Sequence, residues 1–115
     1  MIDFCNGKLS YNGRKFLVGV EPELSVITNI ELFASPNIPQ VENEMLYAFV
    51  SIAVVHPVTT DLIDITVRIR KERRMKLPDA IIAATALYYN LPLITRNVGD
   101  FKNIADLRIY NPYDM

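Results

Sequence analysis

The stretch Leu77-Pro78-Asp79-Ala80-Ile81-Ile82-Ala83-Ala84-Thr85-Ala86 governs how the rest of the chain is read. Proline suits the first position of a helix, where its missing N–H would be unpaired anyway, so Pro78 opens a helix from Asp79 to about Asn90. That helix is apolar nearly all round. A helix without a polar face is covered on every side, which places it in the interior of a layered domain.

The flanking segments fit such a domain. Leu93-Ile94-Thr95 reads as a buried strand and Leu107-Arg108-Ile109-Tyr110 as another. Upstream, Thr59-Thr60-Asp61 caps a long helix whose Leu62, Ile65 and Ile69 form the buried stripe. Asp61 and Asp64 lie in its first turn and the basic residues in its last, as the helix macrodipole favours. Ile52 to Val55 forms a compact β-branched strand stopped by His56-Pro57. Gln40 to Val50 has helical periodicity, with Val41, Met45, Leu46 and Phe49 on one face, after a break at Ser35-Pro36-Asn37-Ile38-Pro39. Leu24 to Ile27 is a short strand, and Thr28 then caps a helix with Glu31 three residues on. The first eight residues read as the end of a helix stopping at Asn6-Gly7, followed by a short helix from Gly13 to Val20. Strands alternating with helices predict an α/β domain with a mostly parallel sheet, spanning residues 1–115.

Composition narrows the function classes. Half of the 115 residues are hydrophobic and 22% are charged, an ordinary globular balance. The net charge of −1 gives no overall field toward nucleic acid, so any RNA contact must be a local basic patch. The single cysteine, Cys5, cannot close an internal disulfide, which fits a reducing cytoplasm. No apolar run is long enough to span a membrane, and the N-terminus lacks a signal-peptide pattern. A chain this small folds only marginally alone, so dimerisation would stabilise it.

Three carboxylates stand at the ends of elements. Glu31 follows the strand ending at Ile27, Asp79 opens the buried helix, and Asp100 follows the strand ending at Thr95, across Arg96-Asn97-Val98-Gly99. In parallel α/β folds chemistry gathers at the carboxyl ends of strands. Clustered carboxylates repel one another unless a cation holds them, and hard oxygen ligands suit Mg²⁺ or Mn²⁺. Such an ion activates water and steadies charge on phosphate. Each acid also has a plainer role: Asp79 favours a helix N-terminus, Glu31 completes a capping box, and Asp100 caps a short helix to Ala105. Spacing alone does not separate the two.

Resemblance adds to this. Leu77 to Ala86 resembles the signature helix of PIN-domain toxins of the VapC type. Leu93-Ile94-Thr95-Arg96-Asn97-Val98-Gly99-Asp100-Phe101 is similar to the family's next motif, a strand running into T-x-N-x-x-[DE]-F. Ser25-Val26-Ile27-Thr28-Asn29-Ile30-Glu31-Leu32 resembles the strand-to-helix motif that carries the family's glutamate. The resemblance implies a PIN-like three-layer α/β/α fold and a Mg²⁺- or Mn²⁺-dependent endoribonuclease. Glu31, Asp79 and Asp100 would be its acidic ligands and Thr95 and Asn97 supporting polar groups. Its partners would be an RNA substrate, a cognate antitoxin whose tail blocks the site, and a second copy in a homodimer or higher oligomer.

One departure stands out. The family opens with a strand ending in D-T-N or D-S-N, whereas Met1-Ile2-Asp3-Phe4-Cys5-Asn6-Gly7 matches only the helix that follows. The opening strand and its aspartate are therefore expected to be missing from this numbering, and Asp3 is not put in its place. Exposed strand edges would then drive self-association or rearranged packing. A catalytically silent module that dimerises or holds an antitoxin peptide is the competing reading.

Arg68, Arg70, Lys71, Arg73, Arg74 and Lys76 form the one basic concentration, directly before the Asp79 motif. Arg73 and Arg74 are candidate contacts to an RNA backbone, or else a solvated helix end complementing its dipole. His56 has no serine or cysteine partner in a nucleophile setting and is assigned a structural role. The aromatic side chains, such as Phe33 and Tyr47, read as core or dimer surface.

Overall fold

The computed structural model describes residues 1–3, 22–34 and 36–112. Residues 4–8 of the expected opening helix end, with Cys5, and the expected helix from Gly13 to Val20 lie outside these residues. In chain order the described elements are β1 (Ile2–Asp3), β2 (Glu23–Ser25), α1 (Val26–Ala34), α2 (Gln40–Ile52), β3 (Val54–His56), α3 (Thr60–Glu72), α4 (Leu77–Tyr88), β4 (Leu93–Thr95), α5 (Val98–Phe101) and β5 (Ile109–Tyr110).

Every strand pairing is parallel: β1 with β4, β4 with β5, and β2 with β3. β1 also lies against β2, so the strands run in the order β3-β2-β1-β4-β5 across two short ladders. The chain moves outward from β1 on both sides, which makes β1 the switch point of the sheet. Ligands of open α/β sheets bind outside the carboxyl ends of strands at such a point.

Ile2–Asp3 corrects the reading of the opening residues as a helix end. Leu93–Thr95 is buried along its whole length, and a buried strand needs partners for its backbone on both sides. β5 supplies one side, with Leu93 N–H donating to the Arg108 carbonyl at 2.8 Å. Met1 to Asp3 supply the other. Ile94 N–H donates to the Met1 carbonyl at 2.7 Å, and the Met1 amine donates to the Pro92 carbonyl at 2.5 Å. Burial holds that amine below its ordinary pKa.

Strand β4 shows how the layers form. Leu93 belongs to one hydrophobic cluster with Leu62, Ile69, Ala80, Ile82 and Phe101. Its neighbour Ile94 points the other way, into a second cluster with Leu24 and Leu32, covered by Phe33, Leu46 and Phe49. Helices α3, α4 and α5 thus cover one face, while α2 and the later part of α1 cover the other; the start of α1 reaches the α4 side through Ile27.

Helix α4 is the central buried element, as its sequence requires. Ala80, Ala83, Ala84 and Ala86 are fully buried, and these small side chains let α3 pack closely along it. The buried hydroxyls of Thr66 and Thr85 are satisfied by the carbonyls of Leu62 and Ile81, each at 2.7 Å. Thr59 caps α3 by accepting from Leu62 N–H, as the sequence predicts. At the far end of α4 the Tyr88 hydroxyl donates to Asp61 at 3.1 Å, which holds the phenol above its usual pKa. Asn90 then adopts the left-handed conformation, φ 53°, that asparagine tolerates.

Three boundaries differ from expectation. Helix α2 continues to Ile52, so β3 is Val54–His56 and not Ile52–Val55. Strand β2 ends at Ser25 and α1 begins at Val26, because the Ser25 hydroxyl accepts from Ile27 N–H and starts the helix one turn early. The last short helix is Val98–Phe101, ahead of the expected Asp100 to Ala105. His56 bonds Glu23 at 2.9 Å and stacks on Tyr89 with ring centres 3.9 Å apart. Among the described residues no helix is long and apolar enough to cross a membrane.

Candidate active site

Each predicted acid sits on an element that meets α4. Asp79 lies in the first turn of α4 itself, half-buried. Helix α1, which carries Glu31, packs on α4, and so does α5, which carries Asp100. Residues separated by 48 and 21 positions from Asp79 are therefore on helices in direct contact with its own.

The β4–α5 connection is built from its own polar side chains. Thr95 is fully buried at the end of β4, and its hydroxyl accepts from the Asn97 N–H at 3.1 Å. That bond fixes the turn. The Asn97 side-chain amide then donates to the Asp100 carboxylate at 2.5 Å, so Asn97 orients Asp100. Thr95 and Asn97 thus act as a relay that aims Asp100. Phe101, with none of its surface exposed, anchors the same turn into the core.

The carboxylates do not form a closed cluster. Glu31 and Asp100 are exposed, and among the described residues no three acidic, histidine or cysteine side chains lie close enough to make a ready cation site. The donor set itself, carboxylates with an amide and a hydroxyl and no thiol or imidazole, suits a hard divalent cation. The backbone register adds a position that sequence reasoning set aside. Asp3 ends β1 directly opposite Thr95, at the switch point of the sheet. Its signal was tertiary: only the pairing of β1 with β4 places it there.

Thr28 sits in the first turn of α1, one turn before Glu31, with a buried hydroxyl that has no hydrogen-bond partner among the described residues. An unpaired buried hydroxyl costs about 1–3 kcal/mol. Thr28→Val keeps the shape and removes that cost, so the variant is expected to melt higher, by about 1 kcal/mol of stability in thermal unfolding. A loss of stability instead would show that the hydroxyl has a partner in solution.

Of the basic residues, Arg74 and Lys76 are exposed beside the start of α4, at the same end as Asp79. Arg73 is different. Its guanidinium donates to the carbonyl of Lys102 at 3.0 Å and to that of Asn103, so it is engaged within the chain.

The model of the PIN domain matches residues 14–107. The chain belongs to the PIN-domain family. No curated protein matches it. Among solved structures, this PIN domain is similar to a chain of a toxin–antitoxin complex from Klebsiella pneumoniae, 33% identical with a TM-score of 0.72, covering 89% of this chain and 84% of that one. It is also similar to a chain of DNA-bound VapBC from Salmonella typhimurium, with a TM-score of 0.76 over 90% of this chain and 86% of that one; at 23% identity this shows the fold alone. A chain of VapBC-5 from Mycobacterium tuberculosis shares 25% identity and a TM-score of 0.59 over 76% of this chain and 79% of that one. The fold and the VapC-type resemblance read from the three sequence motifs are both supported.

Proposed function

We propose that this PIN domain is a divalent-metal-dependent endoribonuclease, the toxin component of a toxin–antitoxin pair. The observation that supports the reading is that α1 and α5 both contact α4, so the helices that carry Glu31, Asp79 and Asp100 are neighbours. Its similarity to a chain of a toxin–antitoxin complex at 33% identity supports an antitoxin as partner. A homodimer is the proposed assembly, since a domain this small gains stability from dimerisation.

Glu31, Asp79 and Asp100 would hold Mg²⁺ or Mn²⁺. A bound ion supplies Lewis-acid chemistry, neutralising charge on the phosphate and making water a better nucleophile. The chain's own contribution is placement. Asp79 is fixed by the buried helix it opens, and Asp100 by the Thr95–Asn97 relay, so neither has to be ordered when substrate binds. In the reaction a water oxygen bonds to phosphorus, one P–O ester bond breaks, and the leaving oxygen takes up a proton. Cleavage of a structured RNA that requires Mn²⁺ or Mg²⁺ and stops with EDTA is the expected result; cleavage that persists in EDTA would contradict the metal-dependent mechanism.

The exposed cations Arg74 and Lys76 beside α4 are suited to the phosphate backbone. Arg74→Glu is expected to weaken RNA binding about tenfold at low salt, with a smaller effect at high salt, because each phosphate contact releases counterions. Filter binding across a salt series checks this. Equal affinities at low salt would remove Arg74 from the interface.

The absence of a closed carboxylate cluster among the described residues favours a second reading, a silent module that only binds an antitoxin peptide or a second copy. Affinity for Mn²⁺ separates the two, since binding a peptide requires no ion site.

A further inference from the structure

The basic residues before α4 divide into two kinds. Arg73 closes α3, its N–H donating to the Ile69 carbonyl at 3.1 Å, and its backbone is extended there at φ −155° and ψ 156°. This leaves the side chain directed across to the turn after α5, where it donates to the Lys102 and Asn103 carbonyls. Those two carbonyls lie between buried anchors, Phe101 on one side and Ile104 on the other. Asn103 takes a positive φ of 72° to make the turn.

The helix that carries Asp100 needs such support. It has four residues, too few for an isolated helix to hold together, and Gly99 and Asp100 within it are exposed. Three restraints fix it: Asn97 from the front, Phe101 from below, and the Arg73 fork from behind. The planar guanidinium reaches two carbonyls at once, which a lysine ammonium on a flexible stem does poorly.

We propose that Arg73 is a positioning residue for Asp100, and that it acts on the cation site and not as an RNA contact. The proposal rests on Asp100 being a cation ligand. Groups hydrogen-bonded to a metal ligand typically change metal affinity by about 10–100-fold when removed, and Arg73 acts one step further out, on the Lys102 and Asn103 carbonyls. Because this fork is partly exposed, the low end applies.

The test uses the full chain with Mn²⁺ as the probe, titrated calorimetrically into the wild type, Arg73→Ala, Arg73→Lys, Arg74→Ala and Asp100→Asn. Amide exchange is followed at residues 98–104. Arg73→Ala is expected to weaken Mn²⁺ binding about tenfold and to speed exchange around Lys102 to Ile104. Arg73→Lys should recover part of both, and Arg74→Ala should match the wild type. The lysine variant retains the charge, so it reports even where the alanine variant is poorly folded. If Asp100→Asn weakens Mn²⁺ binding while both Arg73 variants bind and exchange like the wild type, the positioning role is overturned and the cation site stands. If Asp100→Asn binds Mn²⁺ like the wild type, Asp100 is not a ligand and both ideas fall.

Discussion

Asp79→Asn is expected to lower RNA cleavage at least about a hundredfold, ~2.7 kcal/mol in the barrier, while leaving the domain folded. The substitution keeps the size of the side chain and its ability to sit in a first helical turn. What it removes is one negative charge in the first turn of α4, a helix that both α1 and α5 contact. As a partner for the helix macrodipole, that charge contributes only about 0.3–1 kcal/mol to stability. The two roles of Asp79 therefore predict different results. If it serves the helix alone, the variant melts slightly lower and cleaves RNA at the wild-type rate. If it holds a cation, the melting temperature barely moves and cleavage collapses. Measuring both on the same preparation decides between them.

Phe101→Ala should be the most destabilising single change described here, by about 3–5 kcal/mol in denaturant unfolding. Phe101 heads the fully buried side chains by volume, and it belongs to the cluster that also contains Leu62, Ile69 and Leu93. Truncation loses its transfer free energy and leaves a cavity between α4, α5 and β4 that neighbours fill only in part. For a small domain whose total stability is about 5–15 kcal/mol, this is a large share. The anchor also adjoins Asp100, so the residual folded fraction should bind Mn²⁺ more weakly than the wild type. A loss below about 1 kcal/mol would mean that the turn carrying Asp100 is not fastened by the core.

Much of this was legible in the chain because the signals were local. Pro78 and the alanine-rich run define α4, the Thr59 cap defines the start of α3, and the Leu62–Ile69 stripe defines its buried face. Glu31, Asp79 and Asp100 could be singled out because each follows a strand or opens a helix. The rest depends on contacts distant in sequence. Nothing in Met1-Ile2-Asp3 marks it as a strand; its pairing with the buried β4 makes it one. The β3 boundary moved because the helical periodicity of α2 runs on to Ile52, overriding the β-branched content of Ile52 to Val55. Arg73 and Arg74 look alike in sequence, and only the carbonyls of Lys102 and Asn103 distinguish them. The spread of the carboxylates was invisible for a similar reason, because spacing along the chain says which elements carry charge but not how close the charges come.

The central claim is that Glu31, Asp79 and Asp100 together hold one functional cation site, and calorimetric titration of Mn²⁺ tests it most directly. The wild type should bind, and Glu31→Gln, Asp79→Asn and Asp100→Asn should each weaken binding at least about tenfold, since each removes a charged donor. A folded wild type that takes up no Mn²⁺, or three variants that bind it as the wild type does, would contradict the account.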